Sequence, residues 1–301
     1  MPVTVELERA RKCYDAMVAV DSLSLSISSG EIFGLLGPNG AGKTSTLRMM
    51  IGITRPDSGT VRVFGAPLTR AALRAVGYLP EERGLYRRMT VRQNLVFLGQ
   101  LAGLSAATAL ERARAWTARL GLEGWFENRV EELSKGMQQK IQFVAALIHE
   151  PEFIVMDEPF GGLDPVNANE LKEILLELKG QGRTIVLSTH RMDQAEKLCG
   201  AICLINRGRA ILQGNLRAIK SQYGERFVQI DYTGASGLLA GHPLVESRRD
   251  FGNHLELKLA PGADSQALLH DAATAARISR FELMEPSLEE IFIDRVGRRD
   301  A

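Results

Sequence analysis

The stretch Gly37-Pro38-Asn39-Gly40-Ala41-Gly42-Lys43-Thr44 restricts the fold more tightly than any other part of the chain. Its glycines let backbone N–H groups turn inward with no Cβ in the way. The run before it, Ile32–Leu36, is short and wholly apolar, as a strand buried on both faces requires. After it, Leu47, Met50 and Ile51 recur on one face of a helix that starts near Lys43. Strand, glycine loop and helix in that order form an anion cradle, because the loop amides and the positive end of the helix converge on one point. The loop fits G-x-x-x-x-G-K-[ST], in which the lysine reaches the β- and γ-phosphates of a nucleoside triphosphate and the hydroxyl reaches Mg²⁺.

The rest of the chain supplies a setting for that loop. Phe153–Met156 is a second apolar strand and ends on Asp157-Glu158. Thr184–Ser188 is a third, with the helical pattern Asn167–Lys179 between them, so a right-handed crossover and a parallel sheet are expected. Ligands gather at the C-terminal ends of such strands, where Asp157 can hold the metal and Glu158, aimed differently, can orient or deprotonate a water. Leu23, Leu25 and Ile27 alternate with serines as in a half-buried strand, and Val61–Phe64 also reads as a strand. Residues 88–150 read as mainly helical, over Val91–Leu101, Ala106–Leu120 and Lys135–His149.

The texture changes after about Tyr223. Phe227–Tyr232, Leu255–Leu259 and Ile278–Leu283 look like strands, with helical patterns at Ser265–Ala276 and Ser287–Val296. We therefore expect an ATP-binding domain over residues 1–222, with a helical subdomain near 88–150, and a small α+β domain over 223–301. Lys and Arg number 37 against 36 for Asp and Glu, a balance that does not point to a nucleic-acid binder. Cys13, Cys199 and Cys203 have no disulfide or zinc spacing and read as reduced core thiols; the last two would share a face if they lay on one helix. No secretory signal is expected, and no apolar run approaches the roughly 18 residues of a membrane span.

Further segments narrow the field. Leu133-Ser134-Lys135-Gly136-Met137 precedes an apolar helix, Gly161-Gly162-Leu163-Asp164 follows the acid pair, and Ser188-Thr189-His190 ends the next strand. With Tyr14 upstream of the first buried strand, these resemble the signature, D-loop, switch histidine and adenine-stacking aromatic of ABC transporter ATP-binding subunits, over about residues 3–220. The resemblance implies a P-loop NTPase core of the ABC ATPase type: an α/β fold with a parallel sheet, an antiparallel β subdomain and a helical subdomain. It implies ATP and Mg²⁺ as cofactors, with Glu158, His190 and Lys43 catalytic and Thr44, Asp157 and Glu81 at the metal. ATP is expected on Tyr14, on residues 37–44 with Ser45, and on Glu81, with Ser134, Lys135, Gly136, Met137 and Asp164 supplied across a dimer seam. Ser134 also reads as a helix N-cap, which sends free amides and a positive end toward an anion.

The sequence departs from the family pattern in places. Lys135 and Met137 replace the usual Gly and Gln of the signature, and Gly161 replaces a serine. Glu81, in Gly77-Tyr78-Leu79-Pro80-Glu81-Glu82-Arg83-Gly84, stands where glutamine is general; a carboxylate there can still serve Mg²⁺ and should tighten dependence on it. Arg83, Arg87, Arg88 and Arg92 read either as a face for acidic loops of a partner or as a solvated surface. The Glu-Glu-Arg-Gly loop, the Lys-Gly-Met signature and Pro286–Phe292 resemble the ABC-2-type, sodium-efflux-like exporter branch, which has a small C-terminal domain. The expected partners are membrane-embedded permease subunits and a second ATPase subunit, identical or not, with no nucleic acid. The expected location is peripheral, on the cytoplasmic face of the membrane. The alternatives are a soluble ABC ATPase acting on nucleic acid or ribosomes, and a module that holds ATP without hydrolysing it; Glu158 and His190 argue against the latter.

Overall fold

The short apolar runs of the sequence become central strands. A computed structural model of the chain describes residues 2–69, 71–82, 84–223, 226–234 and 237–297, which places Arg83 outside the described residues. In chain order the first unit contains β1 (Val3–Tyr14), β2 (Met17–Ser28), β3 (Ile32–Leu36), α1 (Lys43–Met50), β4 (Ser58–Val63), β5 (Val76–Leu79), α2 (Val91–Leu101) and α3 (Ala106–Arg119). It continues with α4 (Lys135–Leu147), β6 (Phe153–Asp157), α5 (Pro165–Gly180), β7 (Thr184–Thr189), α6 (Met192–Leu198), β8 (Ala201–Asn206) and β9 (Arg209–Asn215), whose last residue opens the next unit.

One sheet runs in the order β5-β6-β7-β3-β8-β9, and the pairs β5–β6, β6–β7, β7–β3 and β3–β8 are parallel. Every residue of β3, β6 and β7 is buried, which explains why these strands carry no polar alternation. A second, antiparallel sheet runs β2-β1-β4. Its inward residues Val5, Leu7, Leu23, Leu25 and Ile27 share one core with Leu47 and Met50 of α1 and with Phe33, Leu35, Phe153 and Val186 of the parallel sheet. The two sheets and α1 thus hold the loop at 37–42 between them.

The helical segment starts from a capping box, in which Thr90 accepts from the Gln93 amide and the Gln93 side chain accepts from the Thr90 amide. In α4, Ile141, Phe143 and Val144 are wholly buried. Truncating Phe143 to alanine removes a large, fully buried side chain. Phe143→Ala is expected to lower the unfolding free energy by about 3–5 kcal/mol, read as a fall in the urea midpoint at unchanged slope.

The residues that follow form a separate unit, Asn215–Ala301 against Met1–Gly214, so the division falls ahead of residue 223. This unit holds α7 (Leu216–Tyr223), β10 (Phe227–Thr233), β11 (Val245–Asp250), β12 (His254–Leu259), α8 (Ser265–Ala275), β13 (Arg277–Met284) and α9 (Leu288–Gly297). Its sheet is antiparallel in the order β11-β12-β10-β13. Val228, Ile230, Leu255, Leu257 and Leu268 form its core.

Cys199 and Cys203 do not share a helix: Cys199 follows α6 and Cys203 lies in β8. Both are buried, and burial pushes each thiol up to about 12, so neither is a nucleophile at neutral pH. Among the described residues no helix is long and apolar enough to cross a membrane.

Candidate functional site

The loop after β3 is shaped by glycines that no other residue can replace. Gly37 has φ +152°, and a Cβ there would lie 2.1 Å from the Ile205 carbonyl oxygen. Gly42 has φ +104°, and a Cβ would lie 2.2 Å from the Ala19 carbonyl oxygen. Two neighbouring chain segments therefore press on the loop, and only hydrogen fits between. Gly42 also stands at the N-cap of α1, with no side chain between the helix end and an approaching anion.

Lys43 opens α1 and is 6% exposed. Its ammonium donates to the carbonyls of Gly37 at 2.8 Å and Pro38 at 3.1 Å, and lies 3.8 Å from Glu158 Oε1. Burial pushes this ammonium below its ordinary value, while the charges of Glu158, Asp157 and Glu81 pull it back up.

Strand register brings the acids to the loop. Leu36 pairs with Thr189 and Asp157 with Ser188, so three strand ends meet at one edge. Asp157 is 1% exposed. The Ser188 hydroxyl donates to Asp157 Oδ1, whereas Oδ2 is buried without a hydrogen-bond partner among the described residues. In a straight strand adjacent side chains point to opposite faces. Glu158 instead has φ +48°, and its amide is fixed by the Ser188 carbonyl at 3.1 Å, so the chain turns and both acids line one cleft.

The Glu158 carboxylate is held from the other side as well. Thr189 Oγ1 donates to Oε2 at 3.1 Å, and the His190 amide donates to Oε1 at 3.0 Å. His190 Nδ1 lies 2.8 Å from the same Oε1. A carboxylate only accepts, so Nδ1 carries the hydrogen.

The cleft, of about 370 Å³, is large enough for a small-molecule ligand. Asn39, Gly40, Gly42, Lys43, Thr44, Ser45, Glu81, Asp157 and Glu158 line it, together with Met17 and Ala19. Met17 and Ala19 were not singled out in the sequence, nor was Ser188 for its bond to Asp157. Tyr14 is outside the lining, but register pairs it with Met17, and the Lys12 ammonium sits 5.6 Å from its ring centre. His190 is outside the lining and bonds Glu158, which is part of it.

The unpartnered Asp157 oxygen suits a hard cation, and Thr44 and Glu81 add oxygen donors. Among the described residues no three His, Cys, Asp or Glu side chains cluster as a metal site. A cation here would take its remaining ligands from phosphate and water, as Mg²⁺ commonly does.

The signature residues lie elsewhere. Ser134 caps α4 by accepting from the Met137 amide at 3.2 Å; Ser134 and Lys135 are exposed, and none of residues 134–137 lines the cleft. Asp164 caps α5, accepting from the amides of Val166 and Asn167 at 3.0 Å each, and is also outside the lining.

Known proteins resemble this chain over most of its length. Residues 20–161 match the family described as "ABC transporter", and residues 214–296 match "ATP-binding protein DrrA1-3-like, C-terminal domain". The chain is 40% identical over 291 residues to the ABC transporter ATP-binding protein YhaQ of Bacillus subtilis (strain 168), covering 97% of this chain and 98% of that protein. It is 38% identical over 301 residues to the Nod factor export ATP-binding protein I of Paraburkholderia xenovorans (strain LB400), covering 98% and 97%. A solved ATP-binding subunit of an ABC transporter superposes with a TM-score of 0.68 at 32% identity, over 73% of this chain and 93% of that one.

Proposed function

The chain belongs to the ABC transporter family of ATP-binding proteins, and from that premise we propose how its own residues drive the cycle of an exporter. It is an ATP-binding and ATP-hydrolysing subunit of the exporter type. ATP enters the cleft with its phosphates on the amides of 39–44 and on the Lys43 ammonium. The base lies toward the β1–β2 turn, near Tyr14 and Met17. Glu158 takes the proton of an attacking water, and His190 holds Glu158 in place and faces the γ-phosphate. Thr44, Asp157 and Glu81 would hold Mg²⁺, which when bound supplies charge neutralisation on the phosphates.

The cap at Ser134, which is exposed, and half-buried Gly136 stand outside the lining of their own chain's cleft. They serve a second copy, so two chains enclose two nucleotides head to tail, and the Asp164 loop meets the partner at the same seam. Opening after hydrolysis is passed to a membrane-embedded permease, with the chain peripheral on the cytoplasmic face.

One observation supports the reading above the others. The Glu158 carboxylate, fixed by Thr189 and His190, stands 3.8 Å from the Lys43 ammonium inside a cleft walled by the glycine loop. The test is phosphate release by the purified chain. Mg-ATP should support turnover, and chelation of the metal by EDTA should abolish it. Turnover that persists in EDTA would remove the metal from the proposal, and absence of both binding and turnover would remove the whole. Co-purification with a multi-span membrane protein tests the partner.

A further inference from the structure

We propose that Gln142 is a positioning residue for Glu81, and that α4, through Gln142 and Gln139, ties the Ser134 cap to both acidic segments of its own cleft. The inference rests on the proposed part of Glu81 in holding Mg²⁺. Residues 139 and 142 are three apart and so share a helix face. Both side chains are buried, at 7% and 4% exposure. Gln142 Nε2 donates to the carbonyls of Pro80 at 2.9 Å and Glu82 at 3.0 Å, the two that bracket Glu81. Gln139 Nε2 donates to the Pro159 carbonyl at 3.1 Å, next to Glu158. One helix face thus grips the segment after β5 and the segment after β6.

The chemistry of Gln142 argues for position over stability. Its nitrogen must face the two carbonyls, because an amide oxygen cannot donate to them. That leaves Oε1 buried without a partner among the described residues. An unsatisfied buried acceptor offsets much of what the two bonds contribute. Pro80 has no N–H of its own, so its segment depends on donors from outside. The gain is geometric: Glu81 is held at the cleft that it lines. Because Ser134 begins the same helix, a shift of the cap on meeting a second copy reaches Glu81 and Glu158 through two amide contacts.

The experiment uses the full chain and a fluorescent ATP analogue, titrated with Mg²⁺, in wild type and Gln142→Met. Methionine keeps length and approximate volume and removes the donor. The Mg²⁺ concentration for half-maximal tightening of nucleotide should rise about 10-fold, the usual cost of losing a partner that orients a ligand. Binding without Mg²⁺ should change less than about twofold, and amide exchange at residues 81 and 82 should quicken. In a Glu81→Gln background the same substitution should add little, because the residue it positions no longer has a charge. Should Gln142→Met fail to fold, Gln142→Asn takes its place, with the amide kept but drawn back by one methylene. An unshifted Mg²⁺ titration, or an equal shift in the Glu81→Gln background, overturns the inference. Wild-type chain that binds no nucleotide overturns the proposed function and this inference with it; Mg²⁺-dependent wild-type binding with an unshifted Gln142 variant overturns only the latter.

Discussion

Glu158→Gln is expected to lower ATP turnover by roughly 10²–10⁴-fold, the contribution of a positioned acid or base, while nucleotide binding survives. The amide has the shape of the carboxylate: its oxygen can take the Oε1 position and still accept from the His190 amide and Nδ1, while its NH2 takes the Oε2 position and can donate to the Thr189 hydroxyl, so the local geometry is retained. What is lost is the capacity to take a proton. The substitution also removes the negative charge 3.8 Å from Lys43, which leaves that ammonium less compensated and favours an anionic ligand. Phosphate release at saturating Mg-ATP and equilibrium binding of nucleotide separate the two effects. Turnover within a few-fold of wild type would place the base elsewhere.

Lys43→Ala is the second large effect. Turnover should fall by about 10²–10³-fold, the cost of removing one preorganised donor from developing charge, and the ATP concentration needed for half-saturation should rise. Lys43 is buried at 6% exposure, and Asp157, Glu158 and Glu81 line the same cleft. Removing the cation leaves these acids facing the phosphates with no fixed positive side chain among the lining residues. Steady-state kinetics over a wide ATP range check the prediction. A variant that loses affinity but keeps its limiting turnover would reduce Lys43 to a uniform binding contact.

The two effects differ in how they depend on the fold. Lys43 acts from the first turn of α1, whose place is fixed by Leu47 and Met50 in the core. Glu158 acts from a left-handed residue whose amide depends on Ser188, thirty residues later in the chain. Damage to β7 should therefore disturb Glu158 more than Lys43.

Much of this protein is determined by local sequence. A wholly apolar strand, a glycine loop and an amphipathic helix read correctly over residues 32–50 because each element's pattern is set by its own burial. The acids at 157 and 158 are legible for the same reason: an apolar run that stops on two carboxylates ends at a sheet edge. Strands whose pattern reflects a neighbour were not legible. β1 is the centre of the antiparallel sheet, and its bulged register with β2 breaks the simple alternation that would mark it in the sequence. β11 is an edge strand, Val-Glu-Ser-Arg-Arg-Asp, with little to bury on either face. Only the tertiary structure decided that Met17 and Ala19 wall the cleft, that Ser188 binds Asp157, and that Gln142 reaches Pro80 and Glu82. Each of these depends on which segments the sheet order and helix packing bring side by side. Burial is written into a segment's own residues, whereas proximity belongs to pairs of segments.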